Sequence, residues 1–308
     1  MAKKMWFALI FALAFVNAFG WGKVGHMIVA SIAYQKLDEE QQLSVTELLK
    51  AHPDFSRWAK GFQTVKGEMD LGMYLMMRAS VWPDEIRSED NPNHKFHRPD
   101  WHFINYELRF PNPTSTPETN VTPNVVSAIH RALDVVNDGD VEPEVRAMFL
   151  AWLIHLVGDL HQPLHCATLF STQFKKGDMG GNLFWIADNG KPLKLHSLWD
   201  KSLSKSDEDL SITEIKKKAV QLLETNGAIP STFDPKSISI ESFNLSAQKV
   251  HLNGRLLGSK TNTNPPELPN GYIAAMEELA KSRCLLGGKD LSLMLNKTKL
   301  FFEPDAED

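Results

Sequence analysis

Apolar residues recur at helical spacing along most of the chain, while the alternation expected of half-buried strands is scarce. The pattern predicts a helix over residues 24–36, where Ile28, Ile32 and Ala33 fall on one side. A second helix opens after Leu37, with Asp38 as its N-cap. Further helices are predicted over 125–136, 145–160, 212–224, 241–257 and 272–286. The helix over 145–160 follows Glu142-Pro143-Glu144, and an early proline among acidic residues suits the unpaired N–H groups of a helix start. Only residues 183–186 and 193–195, split by Asp188-Asn189-Gly190, read as a small hairpin. Segments 87–100, 110–123 and 258–270 are rich in Pro and Asn and read as ordered loops. With no internal repeat, low-complexity block or linker, one all-α domain is expected over 21–308.

Residues 1–20 break this pattern and read as a signal peptide. Lys3 and Lys4 precede an apolar run from Met5 to Val16, and Ala18-Phe19-Gly20 offers small residues before a cleavage point. The run is shorter than the roughly 20 residues a membrane span needs, and no later run reaches that length. A secreted or secretory-lumen protein is expected. Sequons at Asn120, Asn244 and Asn296 fit glycosylation on that route. Cleavage after Gly20 would make Trp21 the first residue, with a free α-amino group close to His26.

The chain has 33 Lys and Arg against 38 Asp and Glu, a net charge of −5. Loss of Lys3 and Lys4 with the leader takes this to −7. A mildly acidic surface excludes broad electrostatic capture of nucleic acid, so such a substrate must be held by local groups. Cys166 and Cys284 stand alone and far apart, which excludes a zinc framework and leaves one disulfide or two buried thiols open.

The densest chemistry lies in His155–His165, HLVGDLHQPLH, directly after the apolar run 148–154. His155 and Asp159 share a helix face. Burying an imidazole beside a carboxylate is costly unless a cation lies between them, and a divalent metal suits both ligands. His196 and Asp200 repeat the spacing in LHSLWD. Asp84 in VWPDEIR, His102 in DWHF, His165 and His26 in WGKVGH complete a set larger than one zinc ion can use. A surplus of His and Asp points to a catalytic cluster of two or three ions. His161 lies off the face of His155 and Asp159 and reads as supporting or exposed. His94 and His97 read as solvated loop residues, and His52, His130 and His251 as surface or partly buried.

In this ordered set the chain resembles the zinc-dependent class I nucleases, the 3′-nucleotidase/nucleases of fungi, plants and parasitic protists. The resemblance spans nearly all of the chain after residue 20. It rests on WGKVGH at 21–26, WPDEIR at 82–87, WHF at 101–103, HLVGDLHQPLH, GDMGGN at 177–182, LHSLWD at 195–200 and LLGGKDLSLMLN at 285–296. It implies a mainly helical fold around three zinc ions. One would take Asp84, His102, His155 and Asp159; another His165, His196 and Asp200. The third would take Trp21 through its α-amino group and carbonyl, with His26 and a shared Asp159. The related phospholipases C are the alternative, but they have a glutamate where this chain has Asp200.

The resemblance also implies chemistry. Asp84 would position a metal-activated water, and Arg87 would stabilise the charged transition state. Phe103 would stack a base of single-stranded RNA or DNA. Asn105 stands where the family often has aspartate, so base preference is open, and Asn182 would reach a phosphate. The expected enzyme is a monomer that releases 5′-nucleotides and removes 3′-phosphates.

Overall fold

The computed structural model describes residues 21–114, 117–119, 121–204, 210–225 and 232–300. The expected leader over 1–20 and the Asn120 sequon lie outside them. In chain order the helices are α1 (Lys23–Lys36), α2 (Glu39–Lys50), α3 (Phe55–Phe62), α4 (Leu71–Ala79), α5 (Trp82–Glu85), α6 (Val125–Asn137), α7 (Pro143–His161), α8 (Leu195–Asp200), α9 (Ile212–Glu224), α10 (Pro235–Leu245) and α11 (Tyr272–Leu295). The strands are β1 (Tyr106–Leu108), β2 (Ala167–Leu169), β3 (Trp185–Asp188) and β4 (Lys191–Lys194). The mainly helical expectation is met.

Helix α7 is the axis of the fold. Every residue from Leu150 to His161 is buried. A helix that is apolar on all sides must be covered on all sides, and α6, α11, α10, α2 and α4 supply that cover. Helix α1 packs against α11, α4 and α9, and also meets α7. The His and Asp side chains of α7 therefore sit in the core rather than on its surface.

Local signals set several boundaries. The Asp38 carboxylate accepts the Gln41 N–H at 2.8 Å, as its N-cap role requires. Asn124 and Ser127 form a capping box at the start of α6. Strands β3 and β4 pair antiparallel, Trp185 opposite Lys194 and Asp188 opposite Lys191, across the Asn189-Gly190 turn. Strands β1 and β2 pair in parallel, Tyr106 opposite Ala167 and Leu108 opposite Leu169, a long-range contact that local patterning does not register.

Three expectations need correction. The helix expected over 241–257 begins at Pro235, because Asp234 caps the N–H groups of Lys236 and Ser237. It closes at Leu245 and continues as a π-turn at Ser246–Val250 and a 3-10 turn at Leu252–Gly254. Helix α11 runs to Leu295 rather than to residue 286. Gly287 and Gly288 do not end it; they lie against His161 and Ile32, where packing overrides low helix propensity. The loop at 87–100 contains a 3-10 turn at His94–Phe96. Both cysteines are free and buried. Burial pushes the Cys166 thiol up to about 12, so it behaves as a small apolar group.

Candidate metal centre

His155 and Asp159 lie one turn apart on α7, both fully buried. His155 Nε2 is 3.1 Å from Asp159 Oδ2, and His102 Nδ1 is 3.0 Å from the same oxygen. His102 Nδ1 and His155 Nε2 are also 3.0 Å apart. Two ring nitrogens and a carboxylate oxygen thus converge on one point, which a shared cation satisfies better than one proton can. His26 Nε2 approaches the other oxygen, Asp159 Oδ1, at 3.3 Å, and His165 Nδ1 lies 3.6 Å from that oxygen. Asp159 is therefore ringed by four imidazoles.

The ring orientations are set by the backbone. His155 Nδ1 bonds the Ser80 carbonyl at 2.8 Å, His165 Nδ1 the His102 carbonyl at 2.6 Å, and His196 Nδ1 the Gly180 carbonyl at 2.6 Å. A carbonyl only accepts, so each Nδ1 carries a hydrogen, and whenever the ring is neutral the lone pair lies on Nε2. This is the tautomer that metal-binding histidines adopt. His196 Nε2 then faces Asp200 Oδ1 at 3.6 Å across one turn of α8. His26 Nδ1 and Nε2, His102 Nε2 and Asp159 Oδ1 are buried and make no hydrogen bond. Orphaned donor atoms of these types fit divalent metal binding.

Ligand-type atoms of His26, Asp84 and His155 gather within 4.8 Å of one another, as do those of His102, His155 and Asp159, and those of His165, His196 and Asp200. Eight of the nine predicted ligands thus meet through their side chains. Trp21, the ninth, is buried, and the adjoining Gly22 N–H donates to the Asp200 carbonyl at 2.9 Å, which ties this end of the chain to α8. A β-carbon on Gly158 would stand 2.8 Å from His26 Nδ1, so glycine lets α1 bring His26 against α7.

The electrostatics follow from the burial. Desolvation opposes charge on Asp159, yet the imidazoles of His155 and His165 outweigh it and hold the carboxyl well below the usual carboxylate range. Asp84 is likewise lowered against its burial, chiefly by Arg87 and then His155. Arg87 Nη1 lies 3.0 Å from Asp84 Oδ1. Glu85, a possible competitor for Arg87, pairs instead with Arg57 and Arg78 at 2.7 and 2.6 Å. Arg87 is thereby directed at the centre.

Phe103 is half-buried next to His102. Asn105 Oδ1 accepts the Thr168 hydroxyl at 2.8 Å, so its acceptor is engaged by β2. Asn182 is buried; its amide donates to the Met179 carbonyl at 3.0 Å, and its Oδ1 has no partner. Gln162 was not singled out by spacing, yet its Nε2 donates to Asp200 Oδ1 at 3.0 Å while its Oε1 accepts the Leu164 N–H at 2.6 Å. Its position inside HQPLH was the available signal. His161 is buried rather than exposed and faces Asp290 at 3.0 Å, away from the centre. His97, expected in solvent, is half-buried, its ring centroid 6.3 Å from that of His102. His52 and His251 are buried, at 3% and 2% exposure.

A helical frame that buries several converging His and Asp clusters defines a candidate multi-metal hydrolase. The chain belongs to the S1/P1 nuclease family, whose model matches residues 21–299. It is 26% identical to Endonuclease 4 of Arabidopsis thaliana over 326 residues, covering 96% of this chain and 95% of that protein. Identity to Nuclease P1 of Penicillium citrinum is 28% over 190 residues, or 58% of this chain and 57% of the relative. Identity to Nuclease S1 of Aspergillus oryzae is 26% over 188 residues, or 60% and 55%. The protein is a hydrolase that cleaves phosphodiester bonds of nucleic acids. No helix among the described residues is long and apolar enough to cross a membrane.

Proposed function

We propose that the protein is an exported, three-zinc nuclease that cleaves single-stranded RNA and DNA to 5′-nucleotides and removes 3′-phosphates. The observation that carries this reading is the ring of four buried imidazoles, His26, His102, His155 and His165, around the single carboxylate of Asp159. Asp84, His102, His155 and Asp159 would hold one ion, and His165, His196 and Asp200 a second. His26, Asp159 and the N-terminus at Trp21, once freed by cleavage after Gly20, would hold the third. Bound zinc supplies an acidified water and neutralises phosphate charge.

The side chains supply the rest. Asp84, held as a carboxylate, orients the attacking water and takes its proton. Arg87, 3.0 Å from Asp84, donates to the phosphate oxygens as charge builds on them. Phe103 stacks on an unpaired base, which favours single strands because paired bases hide their faces. Gly180, whose β-carbon would stand 2.6 Å from the Leu164 carbonyl, lets the turn that carries Asn182 pack beside His196, and Asn182 would reach a phosphate from there.

Chelation tests this reading. Dialysis against a chelator should abolish hydrolysis of single-stranded RNA, and added zinc should restore it. Turnover by protein shown to be metal-free overturns the proposal.

A further inference from the structure

Asp178 is as fully buried as Asp159 but lies outside the ligand set. Its Oδ1 accepts the Leu169 N–H at 2.8 Å, and its Oδ2 has no full hydrogen bond. The groups that favour its charge are backbone: the N–H groups of Gly181, Asp178 and Gly180 join that of Leu169. Burial pushes the carboxyl up to about 6 against these amides, so at neutral pH it is still a carboxylate. A buried anion held by amides alone is costly, and the turn around it shows what it is held for.

That turn aims its amides inward. Gly177, Met179, Gly180 and Gly181 have φ of +84°, +55°, +59° and +83°. Residues wound through this left-handed region line their N–H groups along one concave side, the shape that takes anions. Glycine adopts it freely. Met179 does so under strain, which persists only where the surroundings hold it. The turn is wedged in place: a β-carbon on Gly177 would stand 2.4 Å from Thr168 Cγ2, and one on Gly181 3.2 Å from the His196 backbone nitrogen.

The outer side of the same turn grips His196. The Gly180 carbonyl accepts the His196 Nδ1–H at 2.6 Å, and the Gly181 carbonyl accepts the His196 backbone N–H at 3.3 Å. The Gly181 N–H and the Gly180 carbonyl belong to one planar trans peptide and point opposite ways. A carboxylate facing the N–H end draws on that hydrogen and leaves more negative charge on the carbonyl oxygen. A metal-binding imidazole is oriented, and made more basic, by the acceptor on its other nitrogen. Here that acceptor is a carbonyl with a carboxylate behind it.

We propose that Asp178 is a positioning residue for His196. Its charge, relayed through the Gly180–Gly181 peptide, fixes the imidazole and strengthens Nε2 as a ligand. The inference rests on the reading above that His196 holds the second zinc ion.

Asp178→Asn in the whole protein keeps the size and removes the charge. In metal-free protein the His196 Nδ1–H proton, assigned in NMR by its loss in His196→Gln, should lie downfield and move upfield in Asp178→Asn. Competition with a chromogenic chelator should show one zinc ion held about tenfold more weakly and the others unchanged. A purely structural role would lower the urea midpoint alone. An unmoved proton signal, or an unaltered zinc affinity in the folded variant, overturns the proposal. Should Asp178→Asn not fold, the wild type decides: the Gly181 amide proton should lie well downfield, and one at its unfolded-chain position overturns the relay. Wild-type protein that binds no zinc at His196 would instead strike the second-ion reading, and the metal-free NMR comparison would still decide the relay.

Discussion

His155 contacts Asp159 Oδ2 through Nε2 at 3.1 Å and the Ser80 carbonyl through Nδ1 at 2.8 Å, so the backbone between α4 and α5 fixes which nitrogen faces the carboxylate. That hydrogen bond raises the electron density of the ring nitrogen opposite it. Asp159→Asn removes the one anion that the surrounding imidazoles share. The variant should bind less zinc per chain and lose at least about 10²-fold in kcat. Metal analysis beside initial rates checks this, and unchanged zinc content would remove Asp159 from its central place.

Gln162 supports Asp200 without belonging to the ligand set. Gln162→Leu keeps the volume but frees the carboxylate. Losses of outer partners to metal ligands run to about 10–100-fold in affinity or activity. Zinc titration by competition with a chromogenic chelator should show a drop in that range. An unaltered affinity means that Asp200 is held by other means.

Gly158→Ala sets two effects against each other. Alanine favours a helix interior by about 1 kcal/mol, but its β-carbon would press on His26 Nδ1. The expected outcome is a protein that binds one zinc ion fewer, whatever its melting temperature does. Full zinc content would show that α1 can shift to absorb the methyl.

Arg87→Ala should lower kcat about 10²–10³-fold, as loss of a transition-state donor does. Zinc content should stay the same, because arginine has no lone pair to give. A parallel fall in zinc content would make Arg87 a structural partner of Asp84 instead.

Acid should destabilise the metal-free fold through its buried neutral histidines. Burial, with a smaller contribution from Arg57, pulls His52 down to about 3, and burial pulls His251 down to about 4. Both lie below the unfolded value of about 6.5. As pH falls, the unfolded chain takes up these protons first, so their contribution is complete above about pH 6.5 and declines toward pH 4. Urea midpoints at pH 7.5 and 5.0 should differ more in wild type than in His251→Phe. Equal differences would contradict the assignment.

Much of this architecture could be read from the chain. The helices over 125–136 and 212–224 are legible from their amphipathic period, and the structure adds the capping boxes at Asn124 and Ser211 that set their starts. Helices α3, α4, α5 and α8 are too short for a periodic signal, and Leu195, expected at the end of the hairpin, begins α8. The parallel β1–β2 ribbon was illegible for a different reason: Tyr106 and Ala167 meet only through the tertiary fold. At the site, the repeated His/Asp spacing and the surplus of ligand types identified the side chains that converge. Histidine burial was misjudged, since spacing cannot show that His52 stacks on Trp58 or that His161 faces Asp290. Gln162 escaped because an amide beside a metal ligand has no pattern of its own.

The most direct test is the zinc content of the protein beginning at Trp21, compared with the same protein carrying one extra residue before it. Three ions per chain are expected in the first, and two with most activity lost in the second. Equal zinc content and equal activity in both would contradict the three-ion centre.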